Sequence, residues 1–464
     1  MKYIGLDVGS SSVKGAVLKL DPPSVGDVIR ADFPAAAPGL PPRRHEVEPG
    51  EILAAVRGVL ESLAPAASDA QGLFLCGQMG GLILTDASGR ALSRYVSWMD
   101  SRLVEPGADG VTEFEELERH ISADVRRELG NEVRPGLTFS YLYWLARRGE
   151  LPPGATAASL PEFVAGSLCG AAPAGHACCS PGAIHLGTLD WHRDAARELG
   201  FGDVAWPRLL EALEPAGTAR VAGRELPCYP AFGDHPCALL GAGIEEGELS
   251  INVSTGSQAS IVAPRHEPGP YQTRPFFDGK LLNTVTHIPA GRALNVLVRL
   301  VTEMAGTRAA GELSGADPWP YILAEAARAE AHGSDLETRL TFFPGPLGDR
   351  GAISGIHEGN LTVGDLFLAA FRDMARSYDI CASRLCPDRS WRRVVFSGGL
   401  VARAPLLRRE IEQKLGSPAR LATVEEDTLT GLLAIALAAA QGAPTVLEAA
   451  RQIRLREAGA GGAP

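Results

Sequence analysis

Apolar residues open this chain in short runs, Tyr3–Leu6, Val13–Leu20 and Gly72–Cys76, each bounded by turn formers. Runs of that length predict strands. After a Pro-rich connection over Pro34–Pro49, Glu51–Leu63 (EILAAVRGVLESL) places apolar positions at helical spacing, and so does Thr138–Arg148 (TFSYLYWLARR) before Pro152, Pro153 and Gly154. The pattern restarts near residue 230. Gly233–Asp234 leads into a small-residue helix, Cys237–Gly243, and Leu249–Ser254 is a strand running into Thr255–Gly256–Ser257. Val394–Phe396 runs into Ser397–Gly398–Gly399, and Ala404–Leu415 and Thr428–Ala440 read as helices. Strands alternating with helices predict an α/β architecture. Both halves open with a strand and a Gly/Ser/Thr turn, which hints at internal duplication.

Leu6–Gly15 (LDVGSSSVKG) carries the most chemistry. Strand character on both sides of Gly9–Ser12 predicts a hairpin, so this is no P-loop, whose glycine turn opens a helix. Gly9 permits close backbone approach, while Ser10, Ser11 and Ser12 offer N–H and O–H donors. Such a tip suits phosphate oxygens, with Lys14 adding charge and Asp7 able to hold a metal ion. An ordinary turn, with Asp7 closing an Asx-turn, fits the same residues.

At 464 residues the chain predicts two large domains or more. A net charge of −11 argues against nucleic acid or an anionic membrane as partner. No apolar run approaches a transmembrane span, and the N-terminus has no signal-peptide core. The eight cysteines show no C-x-x-C spacing and read as reduced, mostly buried thiols, which places the protein in the cytoplasm. His176, His185 and His192 read as loop or surface residues rather than metal ligands, and Arg403, Arg408 and Arg409 as a solvated helix face. The residues after Arg456 are expected to be disordered.

Six segments in order resemble the FGGY carbohydrate kinases of the actin-like ATPase superfamily: the Asp7–Gly15 hairpin, Gly77–Gly81 (GQMGG), Trp98–Arg102 (WMDSR), Gly233–Asp234, Ser254–Ser257 and Ser397–Gly399. The resemblance implies two α/β, actin-like (ribonuclease H-like) domains facing a central cleft. Residues 1–245 would be mainly the sugar side and 246–445 mainly the nucleotide side, followed by a partly disordered tail over 446–464. It implies ATP and Mg2+, with Asp234 as catalytic base and Asp7 and Asp234 at the metal. Gln78, Met79, Trp98, Asp100, Arg102, Asp234 and His235 would meet the sugar. Gly9, Ser10, Ser11, Ser12, Lys14, Ser254, Thr255, Gly256, Gly398, Gly399 and Arg403 would meet the nucleotide. From local sequence alone, Asp234 reads equally as an N-cap and Asp100–Arg102 as a structural pair.

Departures from the family pattern point to a subgroup. Gly80 stands where many relatives have His, which is expected to leave room for a longer sugar. His235 follows the base where Asn is frequent, and Arg403 follows the glycine pair. Leu249–Ile261, Arg274–Lys280, Ala290–Val298 and Phe343–Ile356 resemble sedoheptulokinases. That implies sedoheptulose, a seven-carbon ketose, phosphorylated on its terminal primary hydroxyl, with a homodimer as the candidate assembly. Xylulose, ribulose and glycerol are the competing substrates. An actin-like ATP-driven switch or a non-catalytic sugar sensor is the rival of a different class; the switch does not need GQMGG and WMDSR, and the presence of both Asp7 and Asp234 argues against the sensor.

Overall fold

The computed structural model describes residues 1–303, 317–422, 426–441 and 444–460. The first sheet is built on β1 (Lys2–Val8), β2 (Ser12–Leu20), β3 (Pro23–Asp32), β4 (Leu73–Gly77) and β5 (Arg224–Gly233). Its central order is β3-β2-β1-β4-β5, antiparallel among the first three and parallel from β1 to β5. The second sheet takes β6 (Glu248–Asn252), β7 (Ser257–Ala263), β8 (Gln272–Pro275), β9 (Leu281–Ile288), β10 (Arg393–Ser397) and β11 (Ala419–Leu421). Its order, β9-β7-β6-β10-β11 with β8 outside β9, repeats the same antiparallel-then-parallel arrangement. The duplication hinted at by the two strand–turn openings is thus one of strand order.

Strand alternation sorts the first sheet's side chains onto two faces. Ile4, Leu6 and Val8 pack with Ile52, Val56, Val59 and Leu63 of α1 (Pro49–Leu63) and with Phe163 of α2 (Leu160–Cys169). Tyr3, Leu18, Phe74 and Phe232 face α3 (Asp234–Gly241). The second sheet packs on the long helix α4 (Val363–Leu385) through Phe367, Phe371, Met374 and Tyr378.

The chain then returns. Helix α5 (Asp427–Gln441) leaves the second half and lies on the first sheet beside α3, burying Leu429, Leu432, Leu433 and Leu437 against Phe74 and Phe232. Backbones touch here: a Cβ on Gly241 would sit 1.9 Å from the Asp427 carbonyl oxygen, and one on Gly431 2.0 Å from that of Cys237. The expected tail is corrected over 446–460, which forms helix α6 (Val446–Ala460). Val446, Ala449, Ala450 and Ile453 recur at helical spacing and are buried on the α3–α5 layer. Residues 461–464 lie outside the described ones. Six of the cysteines are buried, the other two are partly so, and all eight are free thiols.

Gly431→Ala should lower stability by about 1–3 kcal/mol in urea unfolding, the usual cost of overpacking. Gly58→Ala, on the exposed face of α1 with open space around its Cβ position, should raise it by about 0.5–1 kcal/mol. A Gly431→Ala protein as stable as wild type would contradict the backbone contact.

Candidate active site

Parallel strands β1, β4 and β5 end together, and the register places Asp7 beside Cys76, Cys76 beside Phe232, and Gly77 beside Gly233. Asp7, Gln78 and Asp234 therefore emerge at one edge of the sheet, where open parallel sheets hold ligands. The second sheet does the same: Asn252 is level with Ser397, so Ser254 and Gly398–Gly399 follow the ends of β6 and β10.

Asp234 is the first residue of α3, after an extended Gly233. It is therefore not the N-cap; its Oδ1 accepts from the His235 N–H at 2.7 Å, and its side chain stays partly open to solvent. Asp7 is buried, with Oδ2 accepting from Thr428 Oγ1 at 2.8 Å and Oδ1 unpartnered among the described residues. Asp427 joins them from the start of α5. Lys14 lies 3.9 Å from Asp7, but its closer partner is Glu426 at 3.1 Å, which Arg30 also grips. Burial raises the Asp7 and Asp427 carboxyls, and Asp234 is pushed up to about 7 by burial and then by the charge of Asp7, with Asp427 adding to it. Carboxylates near enough to act on one another's charge, one with a buried unpaired oxygen, fit the neighbourhood of a hard divalent cation.

On the sugar side, Gln78 is buried, its Nε2 donating to the Gly9 carbonyl at 3.4 Å and its Oε1 unpartnered among the described residues. The Met79 sulfur lies against Gly233, and Trp98 is 41% exposed. Leu82 and Val96 exchange backbone hydrogen bonds, so GQMGG and WMDSR do meet. Two expectations are corrected. Asp100 and Arg102 face each other, not a ligand: Asp100 Oδ1 accepts from the Arg102 N–H and Nε, and Oδ2 from Arg102 Nη2 and the His45 N–H. Arg102 also pairs with Glu46 and stacks over Trp144, so both side chains are filled. Gly80 leaves no room, because at its φ of +81° a Cβ would lie 2.8 Å from the Gly136 carbonyl and 3.3 Å from Trp98 Cβ.

The other side is lined by turns. Gly9 N–H donates to the Ser12 carbonyl, and Ser10 and Ser11 are exposed at the tip. Ser254 Oγ bonds Asn252 and Gly256, leaving Thr255 and Gly256 exposed. Gly398, at φ +95°, fits tightly over Val253, whereas Gly399 has open space at its Cβ position. Arg403 is exposed, with Nε on the Gly399 carbonyl at 3.2 Å.

Residues 2–222 match the model of the FGGY family of carbohydrate kinases, N-terminal domain. Mouse sedoheptulokinase is 21% identical over 89% of this chain and 93% of its own. Residues 2–222 thus carry an N-terminal domain of the FGGY carbohydrate-kinase type. Xylulose kinase from Klebsiella pneumoniae is 31% identical over a shorter stretch, 31% of this chain and 28% of its own. A xylulose kinase structure from Rhodospirillum rubrum superposes with TM-score 0.82 at 20% identity, covering 94% of this chain and 90% of that one. That likeness shows the fold, two actin-like domains of the ribonuclease H-like kind.

Four residues of this site escaped the sequence reading: Glu132, Arg274, Glu426 and Asp427. The acidic pair ahead of the apolar α5 run was a usable signal; Glu132 and Arg274 gave none, being 142 positions apart. The histidines also differ from the surface reading. His176 is buried and stacked on Phe277, and His192 is buried with Nε2 2.9 Å from Glu128, near His185. His185 and His192 Nδ1 each accept a backbone N–H, from Gly187 and Ala195, so both Nε2 atoms carry protons toward Glu128. That tautomer makes the trio a hydrogen-bonded cluster rather than a metal site.

Because Asp234 holds its proton more tightly folded than unfolded, it favours the folded state below about pH 4, and that advantage is lost as pH rises toward 7. Metal-free Asp234→Asn kinase should therefore unfold at a higher temperature than wild type at pH 8, with the gap closing at pH 5. Equal gaps at both pH values would show that Asp234 is an unstrained carboxylate.

Proposed function

We propose that this FGGY kinase transfers the terminal phosphoryl group of ATP to the primary hydroxyl of a ketose, with sedoheptulose as first candidate and sedoheptulose 7-phosphate as product. The observation that carries the chemistry is the nearness of Asp234 to Asp7 and Asp427 at one sheet edge, with Ser/Gly turns at the matching strand ends of the second sheet. A carboxylate with affinity for a proton near neutrality is suited to accept one from a hydroxyl, and phosphoryl transfer otherwise needs positioning and charge neutralisation. Asp234 acts as the general base. Asp7, with Asp234 and Asp427 beside it, would hold Mg2+, which supplies neutralisation of phosphate charge when bound. Ser10, Ser11 and Ser12 present N–H and O–H groups to phosphate oxygens, and Lys14, held by Glu426, adds positive charge at the hairpin. Ser254, Thr255 and Gly256 serve the phosphates from the opposite turn. Gly398, Gly399 and the exposed Arg403 flank the space offered to the nucleoside.

Gln78, Met79, Trp98 and His235 make up the sugar wall, an aromatic face and unpaired polar atoms suited to C–H surfaces and hydroxyls. The seven-carbon choice rests on the mouse and human sedoheptulokinases, matched over 89% of the chain, since the room expected at Gly80 is filled. The xylulose kinases, more similar over a shorter stretch, support a five-carbon ketose as the second reading. Among the described residues no helix is long and apolar enough to cross a membrane, in keeping with a cytoplasmic enzyme.

ADP release measured with Mg2+, ATP and a panel of three- to seven-carbon polyols and ketoses tests the proposal. Sedoheptulose should give the highest kcat/KM, and Asp234→Asn should cut turnover by about 10²–10⁴-fold or more. A pentulose or glycerol as best substrate would overturn the sugar; no stimulation by any of them would overturn the kinase.

A further inference from the structure

Glu132, in the loop before helix Thr138–Arg148, and Arg274, on β8, form a buried ion pair, 1% and 5% exposed. Arg134 adds a second guanidinium 3.0 Å from Glu132. Taking these charges out of water is costly and is offset only by close pairing and satisfied hydrogen bonds. Arg274 Nη1 lies 3.2 Å from His235 Nδ1. A guanidinium has five donors and no acceptor, so Nδ1 must be the accepting nitrogen. The single proton of the neutral ring then sits on Nε2. That Nε2 is buried and has no partner among the described residues. On its other side the same residue is tied to the proposed base, its backbone N–H donating to Asp234.

We infer that the Glu132–Arg274 pair is a positioning device that locks His235 as an Nε2–H donor for an oxygen of the acceptor sugar, next to the hydroxyl facing Asp234. The inference rests on the kinase reading above. An amide side chain at this position would carry its own donor; an imidazole offers either a donor or a lone pair, and only a neighbour that cannot accept decides between them. Asp234 then accepts from the reacting hydroxyl while His235 donates to the adjacent oxygen. A substrate lacking an oxygen there leaves the Nε2–H unpaired, which is how such a group discriminates. Arg274 and Glu132 act through His235.

The tautomer is read directly from long-range ¹H–¹⁵N spectra of histidine-labelled protein, with His235→Gln assigning the signal. The expected result is a protonated Nε2 and a bare Nδ1; a proton on Nδ1 or an exchanging mixture overturns the inference without any substrate. Kinetically, Arg274→Met should lower kcat/KM for the best sugar about tenfold or more while the KM for ATP stays within about twofold. In the His235→Gln background the same substitution should change kcat/KM by less than about twofold. An equal loss in both backgrounds makes Arg274 a mere packing residue and overturns the inference. A wild-type protein that phosphorylates no sugar would sink the kinase reading, and the tautomer measurement would still decide whether Arg274 sets the ring.

Discussion

The contact of helix backbones at Gly241 and Gly431 determines where the chemistry can sit. Only because neither residue carries a side chain do α3 and α5 approach closely enough for Asp427 and Thr428 to reach the end of β1. Thr428 then holds one oxygen of Asp7, and Asp427 faces the same space as Asp234. The site is assembled from three parallel-strand ends and one helix start, the last arriving from the far end of the chain.

That assembly is electrostatically expensive. Asp7, Asp234 and Asp427 repel one another in a mostly buried setting, and Lys14, the cation beside Asp7, is drawn aside by Glu426. The fold tolerates this because apolar packing beneath the carboxylates is continuous, from Phe74 and Phe232 to Leu429 and Leu433. Concentrated negative charge awaiting a cation is the kind of local conflict expected where function, rather than stability, sets the residues.

Much of this was legible in the sequence because it is local. A strand, a Gly/Ser turn and a second strand identify the hairpin at Asp7, and Gly233–Asp234 marks a strand end turning into a helix. Register was not legible, yet it brings Asp7, Gln78 and Asp234 to one edge. Asp100 and Arg102 show the limit of composition: two residues suited to a sugar pair with each other and with neighbours such as His45 and Glu46. Gly80 misled for a related reason, since a missing side chain predicts a space only until another backbone occupies it. The apolar spacing of 446–453 is present in the sequence, and the Gly- and Ala-rich stretch that follows does not extend it.

The return of α5 to the first sheet has a mechanical corollary. The chain itself crosses between the two lobes twice, once where α3 leads to β6 and once where β11 gives way to α5. A body held to another at a single point can twist and tilt in every direction. Held at two, it can rotate freely only about the line through them. The Glu132–Arg274 pair and the Asn131 amide on the Gly269 and Tyr271 carbonyls add further ties, so shear or twist, which would slide the Ser/Gly turns past the aspartates, is resisted at each of these points as well.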